Sequence, residues 1–385
     1  MQSRKLLLAA TLTLGALSLT ACGQGLGSGS TADGSGPITI GMVVPLSGSS
    51  SAIGPYMQNG AQLAVNEINA DGGIDGRDVK LEVADGACDP KTAVAAANKL
   101  VSSDIAASVG GYCSGATLPT LPVFAKQDIP MIIPAANSTQ LVEQKLPNVF
   151  LINGTGAQQA QAAMKWFDKE GASAVSLVDD NTSYSVDIAD KTAALLKESG
   201  GPDLAGRVSV TAGESDYSAN VNAIITSHPD FVYWTGYYQE GGLIIRQLRQ
   251  AGYQGPIMVG DGSVDGSLVQ IAGEKQAQGV FATMTQTPDT LTNASGWIAD
   301  YKKAFGADPG PFSTQSYDAV RVAAKAIEDA GSTDGKKMIS ALEALKDFHL
   351  FSGPLTFTPE HTLSSGGFVI LKVKGTKFEL EDDLS

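Results

Sequence analysis

The feature that most constrains the fold is an alternation of short apolar runs with longer amphipathic stretches, which continues from residue 38 to the C-terminus. Runs such as ITIGMVV (38–44) are rich in β-branched residues and predict buried strands, whereas the stretches between them have helical spacing. Strands that alternate with helices form parallel sheets, because a parallel pair needs a long crossover connection. The sequence therefore predicts an α/β protein.

The repeating units are numerous enough to fill two doubly wound lobes rather than one sheet. The predicted strands are 38–44, 79–84, 105–110, 131–135, 174–180, 207–212, 231–236, 257–262 and 279–284, followed by a β-rich tail at 355–359 and 368–373. The predicted helices are 55–69, 90–103, 115–127, 157–169, 184–199, 217–227, 239–251, 265–272, 294–305, 313–330 and 335–345.

Composition excludes several classes of protein. A chain of 385 residues that is 43% hydrophobic can bury a core in each of two domains, which excludes a disordered chain. A formal net charge of −14 repels phosphate backbones, so nucleic acid is not an expected partner. The three histidines, His228, His349 and His361, are far apart and show no metal-ligand spacing. We therefore expect no metal and no cofactor.

The N-terminal segment has the pattern of an export signal. Arg4 and Lys5 precede an apolar run that ends in Leu-Thr-Ala-Cys at 19–22, which predicts a signal peptide over residues 1–21. The same four residues resemble the bacterial lipobox, so Cys22 is the predicted lipidation site; an ordinary signal with a cysteine beside the cut is the alternative. Residues 22–36 are rich in Gly and Ser and predict a flexible tether. We expect an exported protein, lipid-anchored to the outer face of the bacterial cytoplasmic membrane or held in the periplasm.

Two further cysteines, Cys88 and Cys113, lie 25 residues apart in sequence. In an oxidising compartment they can form a disulfide, or they can remain a free pair. A catalytic thiol is disfavoured, because no histidine stands beside either cysteine in the sequence.

The residues that directly follow the predicted strands are the candidate ligand contacts, since open α/β sheets bind ligands beyond the carboxyl ends of their strands. These segments share small, hydroxyl-bearing, aromatic and acidic side chains. They are 45–48, 112–115, 134–138, 179–180, 236–238 and 260–262.

Several of these candidates have a simple structural alternative. Ser114 and Asn137 each precede a helical stretch, where they either help to hold an anion or cap the helix. Asp261 either neutralises a ligand cation or caps the helix that begins near 265. Tyr184 and Tyr237 either cover an apolar ligand or pack against the end of a sheet.

Five segments together resemble one known family, the leucine/isoleucine/valine-binding proteins of bacterial branched-chain amino-acid ABC transporters. They occur in that family's order and spacing, and they are 83–101, 110–119, 131–141, 230–242 and 260–262. The resemblance implies a type I periplasmic-binding-protein fold, in which two lobes joined by three crossovers close on a ligand. It places lobe 1 at 37–155 and 285–353, lobe 2 at 156–284 and 354–385, and it implies a monomer.

The resemblance also implies roles for individual residues. Cys88 and Cys113 would form a disulfide, Ser114 would bind the ligand carboxylate, and the Ala135 carbonyl would accept from the ligand ammonium. Asn137 stands where the family has a threonine, and Asp261 stands where the family has a glutamate that pairs with the ammonium.

The remaining implied contacts form the pocket for the ligand side chain. Tyr184, Tyr237 and Phe312 match aromatic residues of the family, and Ile53 stands where the family carries another aromatic residue. Ser47, in the first segment after a strand, completes the predicted set. The departures at Asn137, Asp261 and Ile53 preserve a clamp for a zwitterion and alter the side-chain pocket, so the sequence does not fix which amino acid or amide is bound.

These observations predict an extracytoplasmic solute-binding lipoprotein rather than an enzyme, one that delivers a hydrophobic, branched-chain amino acid to an ABC permease. A secreted hydrolase is disfavoured because the sequence contains no GxSxG, HExxH or Walker motif. A ligand-sensing module for a small amide or another amino acid, which signals to a membrane partner, remains the alternative, because one fold can serve both functions.

Overall fold

The computed structural model describes residues 36–384. The predicted signal peptide, the lipidation site at Cys22 and almost all of the tether lie outside the described residues, so they remain predictions. No helix between residues 36 and 384 is both long enough and apolar enough to cross a membrane.

The first half of the chain builds a sheet of parallel strands only. Its members are β1 (Ile38–Val44), β2 (Val79–Asp85), β3 (Ala107–Ser108), β4 (Met131–Ile133) and β5 (Val149–Leu151). Their order in the sheet is β2-β1-β3-β4-β5, and Ile38 pairs with Val79 at the start of the β1–β2 register. The strands are short and mostly buried, as expected for a sheet covered by helices on both faces.

The second sheet repeats this arrangement and extends it. Its members are β6 (Ala174–Asp179), β7 (Asp203–Ser209), β8 (Phe231–Trp234), β9 (Ile257–Val259) and β10 (Phe281–Thr285), joined after the β11 (Phe348–Leu350) and β12 (Gly353–Leu355) hairpin by β13 (Phe368–Lys374) and β14 (Lys377–Asp382). The order is β14-β13-β10-β9-β8-β6-β7, so the parallel part has the same topology as the first sheet. The last two strands are antiparallel.

Helices connect the strands and cover the sheets. They are α1 (Gly54–Ala70), α2 (Pro90–Ser102), α3 (Ser114–Thr117), α4 (Leu121–Ala125), α5 (Gln140–Glu143), α6 (Gly156–Glu170), α7 (Ser183–Ser199), α8 (Ser218–Thr226), α9 (Tyr238–Gln250), α10 (Gly266–Ala272), α11 (Glu274–Ala277), α12 (Ser295–Phe305), α13 (Ser313–Ala330) and α14 (Gly335–Ala344). Local sequence sets several ends: Thr155 and Gln158 form a capping box at the start of α6, and Gly171 ends that helix in a left-handed conformation.

The chain passes between the two sheets three times. It leaves the first sheet after β5, returns after β10 to place α13 against α1, and leaves again after β12. The helices α1 and α13 pack closely together. A Cβ atom at Gly60 of α1 would lie 2.0 Å from the Ser313 carbonyl oxygen of α13, so this position requires glycine. The α/β architecture and its alternation of strands and helices are as the sequence predicts.

Several boundaries differ from the prediction. The single helix predicted over 115–127 is broken into α3, a 3-10 turn and α4, because Pro119 and Pro122 cannot donate the backbone hydrogen bonds that a continuous helix requires. The strand predicted at 105–110 shrinks to two residues, and the one predicted at 207–212 begins earlier, at Asp203. The strands β5, β11 and β14 lie outside the predicted segments, because the first two are only three residues long and the third is largely exposed. The strand predicted at 355–359 shares only Leu355 with β12.

Candidate functional site

Candidate residues from both sheets meet beyond the carboxyl ends of the strands. Asn137 follows β4 of the first sheet, whereas on the side of the second sheet Asp261 follows β9 and Tyr184 lies in the first turn of α7. The Asn137 side chain donates to Asp261 over 3.3 Å, and the Tyr184 hydroxyl donates to Asp261 over 2.6 Å. We refer to Asp261, Asn137, Tyr184 and Gln159, which bonds to Asn137, as the Asp261 cluster.

Asp261 is a deeply buried carboxylate, with 2% of its surface exposed. Its Oδ1 accepts from the Tyr184 hydroxyl and from the Gly262 backbone at 3.0 Å, and its Oδ2 accepts from Asn137. Within residues 36–384, Asp261 forms no ion pair with a lysine, arginine or histidine. Burial raises the pKa of Asp261 to about 6, although the hydrogen bond from Tyr184 acts in the opposite direction.

The helix-cap alternatives for these residues are excluded. The side chain that caps α10 belongs to Asp265, which accepts from the Ser267 backbone at 2.8 Å, so Asp261 is not a cap. Cys113 precedes α3 and Thr139 precedes α5, so neither Ser114 nor Asn137 occupies a cap position. All three side chains are therefore available for another role.

Hydrogen bonds connect the Asp261 cluster to β10 through Asn137 and Gln159. The Asn137 Nδ2 also donates to the Gln159 side chain at 2.8 Å, and Gln159 in turn donates to the Thr283 hydroxyl at 2.9 Å. Gln159 lies in the middle of α6 and Thr283 lies in β10, so this hydrogen-bond network is fixed by two elements of the second sheet's side. The two acceptors, on Gln159 and Asp261, orient the Asn137 amide through its Nδ2, and its Oδ1 has no partner among the described residues.

Two buried amide oxygens near Asp261 have no hydrogen-bond partner among the described residues. They are Oδ1 of Asn137 and Oδ1 of Asn153. Asn153 lies close enough to help lower the pKa of Asp261, and its Nδ2 donates to the Ala135 carbonyl at 2.8 Å. Because buried acceptors are normally paired, this concentration of acceptors favours a ligand that brings hydrogen-bond donors.

Ser114 and the disulfide organise the loops of the first sheet. The Ser114 hydroxyl oxygen accepts from the backbone of Asn137 at 3.3 Å and of Ser138 at 3.2 Å, which fixes the loop after β4. The residue before it, Cys113, is bonded to Cys88, with the two Cα atoms 5.4 Å apart. The pairing is confirmed, and the free-pair alternative is excluded. The disulfide holds the beginning of α3 in place.

The glycines of the Gly260-Asp261-Gly262 motif provide space for aromatic side chains. A Cβ atom at Gly260 would lie 2.6 Å from the Tyr184 hydroxyl, and one at Gly262 would lie 2.9 Å from the Tyr184 ring and 3.0 Å from the Tyr237 ring. All three distances are shorter than ordinary Cβ contacts, so the two tyrosines can cover Asp261 only because its neighbours lack side chains.

Tyr184 and Tyr237 form a pair whose ring centroids are 5.0 Å apart. The Tyr237 hydroxyl is buried and has no hydrogen-bond partner of good geometry among the described residues, although the Ser114 backbone amide lies near it. Burial, followed by the charges of Asp180 and Asp261, raises the pKa of Tyr237 well above its usual value. Both tyrosines therefore remain neutral at ordinary pH.

Of the other predicted pocket residues, Phe312 and Ile53 are buried, whereas Ser47 is exposed. Phe312 and Ile53 are each 1% exposed and belong to the same apolar core. Phe312 has a left-handed backbone with φ of 62°, a strained conformation for a bulky residue and one that is typical of functional positions. Ser47 is exposed and donates to Asp85 at 2.5 Å; no contact in the described chain brings it to the Asp261 cluster.

Sequence patterns could not identify Gln159 and Asn153. Gln159 lies inside a helix and Asn153 lies between β5 and α6, so neither directly follows a predicted strand. Tyr112 does lie in a predicted segment after a strand, but nothing in the local sequence assigns it a role. Only the contacts that these residues make with residues distant in sequence identify them as part of the candidate site.

Comparison with known proteins identifies the family. Residues 37–377 match the family model described as periplasmic binding protein. This chain belongs to the periplasmic binding protein family. Leu/Ile/Val-binding protein homolog 1 from Brucella abortus is 32% identical over 337 residues, which cover 87% of this chain and 90% of that protein.

Solved structures of similar proteins share the fold, the type I periplasmic-binding-protein fold. The leucine-binding protein LivK from Thermotoga maritima superimposes with a TM-score of 0.82 at 29% identity, over 89% of this chain and 97% of LivK. LivJ from Streptococcus pneumoniae, a branched-chain amino acid transporter substrate-binding protein in complex with isoleucine, gives 0.81 at 27% identity, over 89% of this chain and 98% of LivJ. Proteins of this family bind solutes, so the chain is a solute-binding protein and not an enzyme.

Proposed function

We propose that the chain binds the zwitterion of a hydrophobic, branched-chain amino acid between its two lobes and delivers it to an ABC permease. The observation that carries this proposal is Asp261, a buried carboxylate that has no lysine, arginine or histidine partner among residues 36–384. An ionised carboxylate is costly to bury alone, and a ligand ammonium group supplies the missing charge.

The neighbouring acceptors fit an ammonium group. An ammonium has three N–H donors, and the unpartnered Oδ1 atoms of Asn137 and Asn153 lie near Asp261. The Ala135 carbonyl accepts only the Asn153 amide among the described side chains and retains a second lone pair. Asp261 thus supplies the charge, and the neutral oxygens complete the hydrogen bonds.

The carboxylate of the ligand requires donors instead. Ser114 offers its hydroxyl and its backbone N–H at the beginning of α3, and the buried Tyr237 hydroxyl lies beside the same amide. Tyr184, Tyr237, Phe312 and Ile53 would surround the ligand side chain with apolar surface. Ser47 remains a predicted contact at the exposed rim, where Asp85 orders it.

The proposed lobes are 37–155 with 285–353 and 156–284 with 354–385. With these boundaries, two hydrogen bonds join one lobe to the other and would form only when the lobes close. The Asn137 bond to Asp261 crosses between the lobes, and so does the Tyr238 hydroxyl bond to the Ser49 carbonyl at 2.6 Å. A ligand that touches both lobes favours the closed state, because those contacts exist only when the lobes are together.

Calorimetric titration with matched ligands tests the proposal. Valine, leucine and isoleucine should bind, whereas isovalerate, which lacks the amino group, and isobutylamine, which lacks the carboxylate, should each bind at least about a hundredfold more weakly. Equal affinity for isovalerate and valine would contradict the role of Asp261. Binding of isobutylamine as tight as that of valine would contradict the role of Ser114.

Anchoring at Cys22 is a separate part of the proposal, and it rests on the Leu-Thr-Ala-Cys sequence alone. In cells grown with labelled palmitate, the full chain should become labelled and remain with the membrane fraction, whereas Cys22→Ala should do neither. An unlabelled wild-type chain would favour an ordinary signal peptide. Size-exclusion chromatography with light scattering should show a monomer.

A further inference from the structure

Tyr112, which follows β3, occupies the middle of a row of aromatic rings. Its ring centroid lies 5.8 Å from that of Tyr237 and 5.6 Å from that of Phe312. Tyr237 follows β8 of the second sheet, whereas Phe312 precedes α13, which packs beside the first sheet's helix α1. Tyr112 therefore stands between the two aromatic residues that are proposed as walls of the side-chain pocket.

The Tyr112 hydroxyl also reaches the loop that carries Asp261. It donates to the Gly262 carbonyl at 3.2 Å, a bond that joins positions 150 residues apart in sequence. Tyr184 and Tyr237 pack near the same glycine, since a Cβ atom built there would lie 2.9 Å from the Tyr184 ring and 3.0 Å from the Tyr237 ring. Burial, then the neighbouring Tyr237 and Asp261, raises the pKa of Tyr112 well above its usual value, so its hydroxyl remains a proton donor.

We infer that Tyr112 determines ligand specificity: its ring closes the end of the side-chain pocket and limits the length of the side chain that the pocket accepts. The inference rests on the proposed function. A side chain that extends between Tyr237 and Phe312 meets the ring of Tyr112, which its bond to Gly262 prevents from moving freely. Phe312 has little freedom to move away from the ligand, because its left-handed backbone lies at the buried start of α13.

The ring and the hydroxyl therefore have separable effects. The ring acts on ligands according to their size, so it changes the ratio of affinities between long and short side chains. The hydroxyl bond to Gly262 crosses between the lobes and is present whichever ligand is bound, so its removal weakens all ligands alike. The hydroxyl is the single polar group of the Tyr112 side chain, and it is bonded to Gly262, so the ring offers the ligand apolar surface and selects by size.

The test measures dissociation constants for valine, leucine and phenylalanine with the wild type, Tyr112→Leu and Tyr112→Phe. In the wild type the affinity should fall from valine to leucine and again to phenylalanine. Tyr112→Leu should shift the leucine-to-valine affinity ratio toward leucine by about tenfold or more, since a single methylene can change affinity by that factor. Tyr112→Phe, the matched control, should weaken valine and leucine by the same factor of about three to ten and leave their ratio unchanged.

The outcomes separate this inference from the proposed function. If the wild type binds valine and Tyr112→Leu leaves every ratio unchanged, the inference is overturned and the proposed function stands. If the wild type binds none of the three amino acids, both are overturned. Should Tyr112→Leu fail to fold, the wild-type series decides, because leucine and phenylalanine binding as tightly as valine would exclude a closed pocket end.

Discussion

Asp261 and Asp318 are both buried aspartates whose pKa burial raises to about 6, yet their surroundings differ. Asp318, on α13, accepts from the Arg321 guanidinium at 2.7 Å and from the Phe351 backbone at 2.7 Å. Asp261 is surrounded by neutral donors alone and has no cationic partner in the described chain.

We propose that this difference separates a structural carboxylate from a ligand-binding one. Arg321 also donates to the His349 carbonyl at 3.0 Å, so the Asp318 pair fixes the segment through which the chain makes its last passage between the sheets. Its charge is balanced within the protein. The charge of Asp261 is not balanced by a cation of the described chain, and under the proposed function the ligand ammonium balances it.

The largest expected effect that separates the two residues is on binding. Asp261→Asn should weaken an amino-acid ligand by about 2–5 kcal/mol, because the ammonium would be buried without its counter-charge. Asp318→Asn should leave affinity within experimental error in calorimetric titration. If both variants lose affinity to the same extent, the distinction between the two carboxylates is wrong.

Stability should change in the opposite sense. Asp318→Asn removes the charge that Arg321 faces and should lower the free energy of unfolding by about 2–3 kcal/mol. Burial raises the pKa of both carboxyl groups and so disfavours both ions in the folded protein, but only at Asp318 does the substitution leave a cation unpaired. Asp261→Asn should therefore raise the free energy of unfolding at pH 7, by up to about 3 kcal/mol. Urea unfolding without ligand measures both; a large loss of stability in Asp261→Asn would show that its carboxylate is structural.

The pH dependence of binding should follow Asp261. An ammonium ligand binds the ionised carboxylate, so the pKa of Asp261 is lower in the complex than the value of about 6 without a ligand. Affinity should therefore be constant between pH 7 and 8 and fall by up to about tenfold per unit as pH decreases below 6. Titrations at pH 8, 7, 6 and 5 test this, with Asp318→Asn expected to retain the dependence; a flat profile in the wild type would contradict it.

The smallest expected effect on affinity comes from removing the Tyr184 hydroxyl, one of the neutral donors to Asp261. Tyr184→Phe removes the hydroxyl that donates to Oδ1 at 2.6 Å and keeps the ring over the glycines. Because that hydrogen bond favours the ionised form, its loss should raise the pKa of Asp261, and affinity at pH 7 should fall by about 1 kcal/mol. The midpoint of the pH profile should move upward. An unchanged midpoint would mean that Tyr184 contributes only its ring.

The architecture was accessible from sequence because period and length determine it. The apolar run at 38–44 and the amphipathic stretch at 313–330 coincide with β1 and α13. The failures have local causes: Pro119 and Pro122 interrupt a helix whose apolar spacing continues through them, and the alternating, partly charged β14 is stabilised by pairing with β13 rather than by its own pattern.

The candidate site was only partly accessible from sequence. The strand-end rule located Asn137, Tyr237 and Asp261, because parallel strands direct their carboxyl ends to one edge. It could not locate Gln159, because the bond to Asn137 depends on which face of α6 turns toward the first sheet. It also could not show that Asp265, rather than Asp261, caps α10. Such choices depend on long-range contacts, which local sequence does not encode.

The glycines beside Asp261 have a consequence for how this site can evolve. Gly260 and Gly262 are confined by the rings of Tyr184 and Tyr237, so a larger residue at either glycine becomes tolerable only after a tyrosine has become smaller. The reverse order, a tyrosine replaced first, leaves a gap that a side chain at the glycine position can then fill. We therefore expect these positions to change as pairs among relatives, in steps that first lose affinity and then recover it for a ligand of another shape.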